Sequence, residues 1–124
     1  MPSTVVERRT ALVMNDPPVG PAQCPVTHTL RFIGGKWKPV ILFLVRKGCN
    51  RFGALQRAID GISKQMLTTQ LRELERDGIL SRTIHAEIPP RVEYHITPKG
   101  ESLLPVVDAM SAWGLEDMGG PCAT

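Results

Sequence analysis

Cysteine is scarce in this sequence, and its distribution excludes two classes of protein. The 124 residues include only Cys24, Cys49 and Cys122, which are odd in number and widely spaced. Small secreted domains held together by disulfides carry an even set of cysteines. A structural zinc site needs about four clustered nitrogen or sulfur ligands, and the three histidines are scattered along the chain. We therefore predict no disulfide framework, no metal and no other cofactor.

Long hydrophobic runs are also missing. No apolar run approaches the roughly 18 residues that a membrane-spanning helix requires. Arg8 and Arg9 precede an apolar stretch at residues 11–14, which is shorter than the core of about 7 residues or more in a signal peptide. The sequence therefore predicts a cytoplasmic protein without a membrane partner, with its thiols reduced by default.

Charge is small in total but unevenly distributed. The net charge is +3, yet residues 24–100 hold 13 Lys or Arg against 6 Asp or Glu, a net +7. Residues 101–124 hold four acids and no Lys or Arg. This distribution favours a body that binds a polyanion and a separate acidic end. Composition alone leaves open the alternative of an arbitrary scatter of surface charge.

Glycine and proline divide the chain into helical segments. Helical apolar spacing from Val26 onward is interrupted at Gly34-Gly35, at Gly48 and at Asp60-Gly61. The second of the three helices is nearly all apolar, which predicts that it is the central buried one. Ser63 is a suitable N-cap for a fourth helix that runs to about residue 77 and is closed by Gly78.

Two short alternating segments follow the fourth helix. Residues 80–84 and 92–96 alternate with period two, which predicts a β-hairpin whose tip is stiffened by Pro89-Pro90. Thr97-Pro98 then caps a last helix. Pro105 should bend or restart that helix, because an interior proline costs ~3 kcal/mol.

This order of elements predicts an α+β fold, mainly helical: a winged helix-turn-helix with a two-stranded β-hairpin wing and flanking dimerisation helices. We divide the chain into a partly flexible N-terminal arm (residues 1–23), the winged helix-turn-helix domain (24–113) and a C-terminal tail (114–124). The expected activity is sequence-specific binding of double-stranded DNA, and not catalysis. The major groove, about 12 Å wide, admits one helix, and the wing reaches a neighbouring groove.

The fourth helix presents a face suited to DNA. The side opposite its apolar side carries hydrogen-bond donors, hydroxyls and cationic groups but no acid. A helix face that only contacts solvent normally carries charges of both signs. Ser63 is expected to cap the helix and touch phosphate, and Lys64 lies on the flank. Beyond the helix, Arg91 at the wing is expected to be exposed and to contact DNA, and Arg51 either holds a phosphate or pairs with an acid. The predicted contacts of the outer face are Gln65, Thr68, Thr69, Arg72 and Arg76.

A dimer is expected from the geometry of DNA. Two recognition helices that read successive major grooves lie about 34 Å apart, one turn of the duplex. The apolar last helix is the predicted joint between the two copies. Its candidate interface residues are Leu103, Val107, Met110 and Trp113.

A set of short motifs between Cys24 and Trp113 matches a known family. The matching residues are Cys24-Pro25, Gly34-Gly35-Lys36-Trp37, Arg51-Phe52, Ile62-Ser63, Met66-Leu67, Leu71-Arg72-Glu73-Leu74, Asp77-Gly78, Pro89-Pro90-Arg91-Val92-Glu93-Tyr94, Thr97 and Trp113. In these motifs, which are weak singly but specific together, the sequence resembles the HxlR family, a branch of the MarR-like winged-helix regulators of bacteria and archaea. The resemblance covers residues 24–113 and implies a homodimer on a palindromic or near-palindromic operator, with an affinity that a signal changes.

The resemblance also implies that Cys24 senses oxidants, electrophiles or quinones. A thiol at a helix N-terminus favours its thiolate, and His28 lies one turn further on. A disulfide to Cys122 of a second copy is one possible product. Two alternatives stay open: a thiol-based enzyme or redox protein that uses Cys24 and His28, and a winged-helix module that binds protein.

Overall fold

The computed structural model describes residue 20 and residues 23–120. The predicted fold class is confirmed, since five helices and one two-stranded sheet follow one another in the expected order. This part of the chain divides after Arg31 into two compact units, each described by itself. The elements are α1 (Pro25–Ile33), α2 (Lys38–Arg46), α3 (Phe52–Ala58), α4 (Lys64–Arg76), β1 (Leu80–His85), β2 (Arg91–Ile96) and α5 (Pro98–Met118).

The core of the second unit forms where α2, α3 and α4 meet β1 and the turn before it. All of its central side chains are aliphatic and fully buried. Helix α2, predicted to be the central buried helix, buries Ile41, Leu42 and Val45, but Val40 and Phe43 on its outer side are exposed. The fully buried core side chains are Ile33, Ile41, Leu42, Leu55, Leu67, Leu71, Leu74, Ile79 and Leu80.

Helix α4 has the predicted bounds and the predicted buried side. The Met66 amide donates to Ser63 Oγ at 3.0 Å, so one of the free amides of the first turn is satisfied by a side-chain cap. At the other end Gly78 adopts a φ of +78°, a left-handed conformation that residues other than glycine rarely take. These two residues fix where the helix begins and ends.

The wing is an antiparallel pair of strands. Register runs from Leu80 opposite Ile96 to His85 opposite Arg91. The Tyr94 amide also donates to the carbonyl of Asn50 at 2.9 Å, so the backbone of the wing is joined to the residue two positions before α3.

Helix α5 packs closely against the start of the wing. The Gly100 amide donates to the capping hydroxyl of Thr97 at 3.0 Å. A Cβ at Gly100 would lie 2.4 Å from the Ile79 carbonyl oxygen, so only glycine fits there. The helix is not restarted at Pro105, because burial of Leu104 and Val107 on either side holds the two turns in one helix. It continues to Met118, past the domain boundary predicted at residue 113.

Candidate nucleic-acid interface

The outer face of α4 is exposed along its length. Gln65, Thr69, Arg72 and Arg76 are exposed and Thr68 is half-buried. The two threonine hydroxyls donate to backbone carbonyls one turn earlier, Thr68 to Lys64 at 2.8 Å and Thr69 to Gln65 at 3.0 Å. A threonine contact with a phosphate therefore requires the hydroxyl to rotate away from its carbonyl, whereas Arg72 needs no such exchange.

The acids of α4 are occupied by cations from other elements. Glu73 accepts from Lys38 of α2 at 2.6 Å, and Glu75 lies 3.6 Å from Arg82 of β1. No ion pair joins Lys64 or Arg72 to any residue that the structure describes. These two cations are therefore the unopposed charges of the recognition helix.

The remaining predicted residues of this helix differ in their exposure and in their bonding partners. Lys64 is exposed on the flank and Ser63 is engaged as the cap. The guanidinium of Arg76 lies 3.4 Å from the carboxylate of Asp77, although the arginine is 70% exposed. Its charge is partly offset by that neighbour, so we rank Arg76 below Arg72 as a DNA contact.

Arg91 is not the exposed wing-tip arginine that the sequence predicts. It is half-buried, and its guanidinium donates to Glu87 at 2.9 Å and to Glu93. The hydrogen bond to Glu87 and the charges of both acids raise the pKa of Arg91, and the same hydrogen bond lowers the pKa of Glu87. The difference arises because Glu87 lies in the hairpin loop and Glu93 shares a strand face with Arg91.

Glu93 is a residue that the sequence reasoning missed. Its carboxylate is contacted by His85 at 3.1 Å, by His95 at 3.5 Å, by Arg51 at 3.9 Å and by Arg91. The hydrogen bond from His85 holds the pKa of Glu93 below its usual value, and the charges of Arg91 and Arg51 act in the same direction. The available signal was the period of two, which places residues 85, 91, 93 and 95 on one face of the hairpin.

The candidate interface residues of α5 are of two kinds. Met110 and Trp113 are exposed, by 44% and 72%. Val107 is buried in the chain's own core, and Leu103 is half-buried against it. In the single chain Val107 is 6% exposed, whereas the neighbouring Val106 is 38% exposed.

Cys24 lies at the start of α1 in the first unit, as a partly exposed free thiol. Hydrogen bonds from the backbone amides of Thr27 and then Val26 lower the pKa of the thiol and outweigh the opposing effect of burial. This agrees with the expected effect of a helix N-terminus. The His28 amide donates to the Cys24 carbonyl at 2.9 Å, a hydrogen bond of the first helical turn.

The other two cysteines differ from Cys24. Cys49 is half-buried and packs against the core of the second unit. Cys122, and with it the expected disulfide to Cys24 of a second copy, lies outside the described residues, as does most of the arm at 1–23. Within the described part, no cluster of His, Cys, Asp or Glu could hold a metal ion. No helix in that part is long and apolar enough to cross a bilayer.

Comparison with known proteins agrees with this architecture. The sequence profile of the HxlR-like helix-turn-helix family matches residues 32–120. The HTH-type transcriptional regulator YdeP of Bacillus subtilis is 46% identical over 91 residues, which are 73% of this chain and 71% of YdeP. The redox regulator HypR in its reduced form is 43% identical with a TM-score of 0.74, over 77% of this chain and 95% of HypR. A structure assigned to the MarR family, from Enterococcus faecalis, is 38% identical with a TM-score of 0.67, over 81% and 91%.

The fold and these similarities define a winged helix-turn-helix protein that binds DNA and regulates transcription. The chain belongs to the HxlR-like helix-turn-helix family. The resemblance drawn from the sequence is thereby confirmed, and so is its relation to the MarR-like regulators.

Proposed function

We propose that the protein is a homodimeric regulator that binds a palindromic or near-palindromic operator and loses or gains affinity when Cys24 is modified. It carries out no catalysis and acts in the cytoplasm, where its DNA target is. The observation that carries the proposal is the outer face of α4. That face offers Arg72, and its flank offers Lys64, with no acid paired to either among the described residues. Both lie on the helix that follows the turn of a helix-turn-helix.

Each predicted contact has a role in this proposal. Arg72 and Gln65 read base edges, because arginine pairs with guanine and glutamine with adenine in the major groove. Arg51 and Arg91 contact the phosphate backbone beside the wing. The remaining proposed contacts, which hold the helix on the backbone, are Ser63, Lys64, Thr68, Thr69 and Arg76.

The dimer part of the proposal is supported by exposed apolar side chains on α5. Val106, Met110 and Trp113 are large apolar residues in contact with solvent in the single chain. A contiguous exposed apolar surface typically marks a protein interface, and a two-fold dimer matches a palindromic site. Residues 24–113 remain the proposed DNA-binding unit.

The signal part of the proposal is supported by the lowered pKa of Cys24 and by the similarity to HypR, which is described as a redox regulator. Thiolate character and access make a cysteine reactive towards oxidants and electrophiles. An effector of that chemical class is therefore the proposed partner besides DNA and the second copy.

Selection of DNA fragments by the pure protein tests the proposal. We expect the selected sequences to share an inverted repeat whose half-sites lie about 10 base pairs apart from centre to centre. Two chains should bind each site, as measured by light scattering of the complex. Recovery of unrelated sequences bound with equal affinity, or of one chain per site, would contradict the proposal.

A further inference from the structure

The side chain of Glu93 is the meeting point of four cationic or ionisable groups. It lies on β2 with only 17% of its side chain exposed. One carboxylate oxygen is contacted by His85 and His95, at 3.1 and 3.5 Å. The other is contacted by Arg91 and, at 3.9 Å, by Arg51. Both oxygens of one carboxylate are thus engaged from two strands and a helix.

The two arginines come from different elements. Arg51 is the N-cap residue of α3, and Arg91 is the first residue of β2. Within the described residues, the segment before α3 and the wing share one backbone hydrogen bond. It runs from the Tyr94 amide to the Asn50 carbonyl, next to Glu93 and Arg51. Glu93 is therefore the charged link between the start of α3 and the wing.

We propose that Glu93 is a positioning residue for DNA binding, which holds Arg51 and Arg91 in one array so that the phosphate backbone meets both guanidinium groups together. The inference rests on the proposed function, in which both arginines contact phosphates. A guanidinium has five N–H donors, so an arginine that donates to a carboxylate keeps others for a phosphate. Because the two side chains are held in place before binding, they lose less conformational entropy when they bind DNA.

The competing role for Glu93 predicts the opposite sign. If the carboxylate only neutralised the arginines, its removal would add a positive charge near DNA and strengthen binding. If it positions them, its removal weakens binding although the protein becomes more cationic. The sign of the change therefore separates positioning from masking.

The experiment measures binding of the full chain to a random-sequence duplex of about 30 base pairs, because phosphate contacts dominate non-specific affinity. We expect Glu93→Gln to bind about tenfold more weakly than the wild type. The matched control is Asp60→Asn, which removes the same charge from an exposed turn. Asp60 forms no ion pair with any residue that the structure describes. This variant should bind as tightly as the wild type or more tightly. Thermal unfolding of each variant shows the temperatures at which it is folded, and DNA binding is measured only at those temperatures.

A double-mutant cycle adds a readout that a loss of stability does not reproduce. In the wild type, the effects of Arg51→Ala and Arg91→Ala should be non-additive, because they act as one array. In the Glu93→Gln background the two effects should become additive. Should Glu93→Gln not fold, Glu93→Asp takes its place, since it keeps the charge but withdraws the carboxylate.

The outcomes distinguish this inference from the function on which it rests. If neither Arg51→Ala nor Arg91→Ala weakens binding, the proposed phosphate contacts are wrong. If both weaken binding but Glu93→Gln binds equally or more tightly, or leaves the coupling unchanged, the positioning role is overturned.

Discussion

Lys38 Nζ lies 2.6 Å from Glu73 Oε1, and this ion pair joins α2 to the inner flank of the recognition helix. The lysine side chain is 10% exposed and the glutamate 35%, so the pair is buried on one side and open on the other. Among the described residues Lys38 is the only buried charged side chain. The pair therefore holds α4 in place. It also neutralises the negative charge of Glu73, which would otherwise repel DNA from this helix.

Glu73→Gln should destabilise the fold, because it leaves the buried ammonium group of Lys38 without its counter-charge. We expect a loss of about 1–3 kcal/mol in the free energy of unfolding, less than for a fully buried pair because Glu73 is partly solvated. Urea denaturation measures the change. The double variant Lys38→Met with Glu73→Gln should recover most of it, and failure to do so would show that the pair is not the cause.

Arg72→Ala and Arg91→Ala should weaken DNA binding in different ways. If Arg72 reads a base, its loss costs about 1–3 kcal/mol on the selected operator and relaxes specificity at one position. Loss of Arg91 should weaken binding to all sequences alike and reduce the log–log salt slope by about 0.9. Titrations of operator and random DNA at several salt concentrations separate the two. Unchanged affinity in both variants would refute the docking of α4 and the wing.

The helical framework was predictable because its signals are local. Ser63 as a cap, Gly78 as a stop and the apolar side of α4 depend on neighbours within a turn or two of helix, and the structure confirms each. Pro105 was judged by local preference alone. Packing of Leu104 and Val107 against other elements overrides that preference, and sequence spacing does not show such packing.

The parts of the site that were missed depend on contacts between elements. Arg91 was expected to be exposed because its loop is polar and stiff, but Glu87 and Glu93 reach its guanidinium. The pairing of Glu73 with Lys38 joins residues 35 positions apart in the chain, and helical periodicity carries no information about such a pair. Val107 packs in the chain's own core, and an apolar stripe in the sequence does not reveal which of its members do so.

Trp113→Glu should shift the protein from dimer to monomer. The indole is 72% exposed in the single chain, and a charge at the centre of an apolar interface is costly when the second copy covers it. Light scattering at micromolar concentration measures the mass. Ile88→Glu is the control, because Ile88 is a fully exposed apolar residue of the hairpin loop, away from α5. A dimer that persists in Trp113→Glu, or a monomeric wild type, would exclude α5 as the joint.

Asp108 should contribute to stability at neutral pH and lose its contribution in acid. Arg46 of α2 donates to both carboxylate oxygens of Asp108 on α5, and this contact lowers the pKa of Asp108. The unfolded carboxyl titrates near 3.9, so the stabilisation is present above that pH and is lost as the pH falls through the lower pKa of the folded state.

The stability of Asp108→Asn should therefore be lower than that of the wild type at pH 7, and the difference should shrink as the pH falls below about 4. Thermal unfolding across this range measures it. Glu87 and Glu93, whose pKa values are also lowered, titrate equally in both proteins and do not affect the difference. A gap that is constant with pH would mean that the ion pair makes no contribution.

Cys24 should be the most reactive thiol of the described residues and the one that controls DNA binding. The amides of Thr27 and Val26 stabilise its thiolate, whereas Cys49 is half-buried against the core. The pH at which alkylation by iodoacetamide reaches half its maximal rate should therefore lie below that of a cysteine in an unstructured peptide. Mass spectrometry identifies the modified residue.

DNA binding measured before and after diamide or quinone treatment should change in the wild type and in Cys49→Ser, but not in Cys24→Ser. If treatment affects wild type and Cys24→Ser alike, or neither of them, the signal is received elsewhere and Cys24 only caps α1.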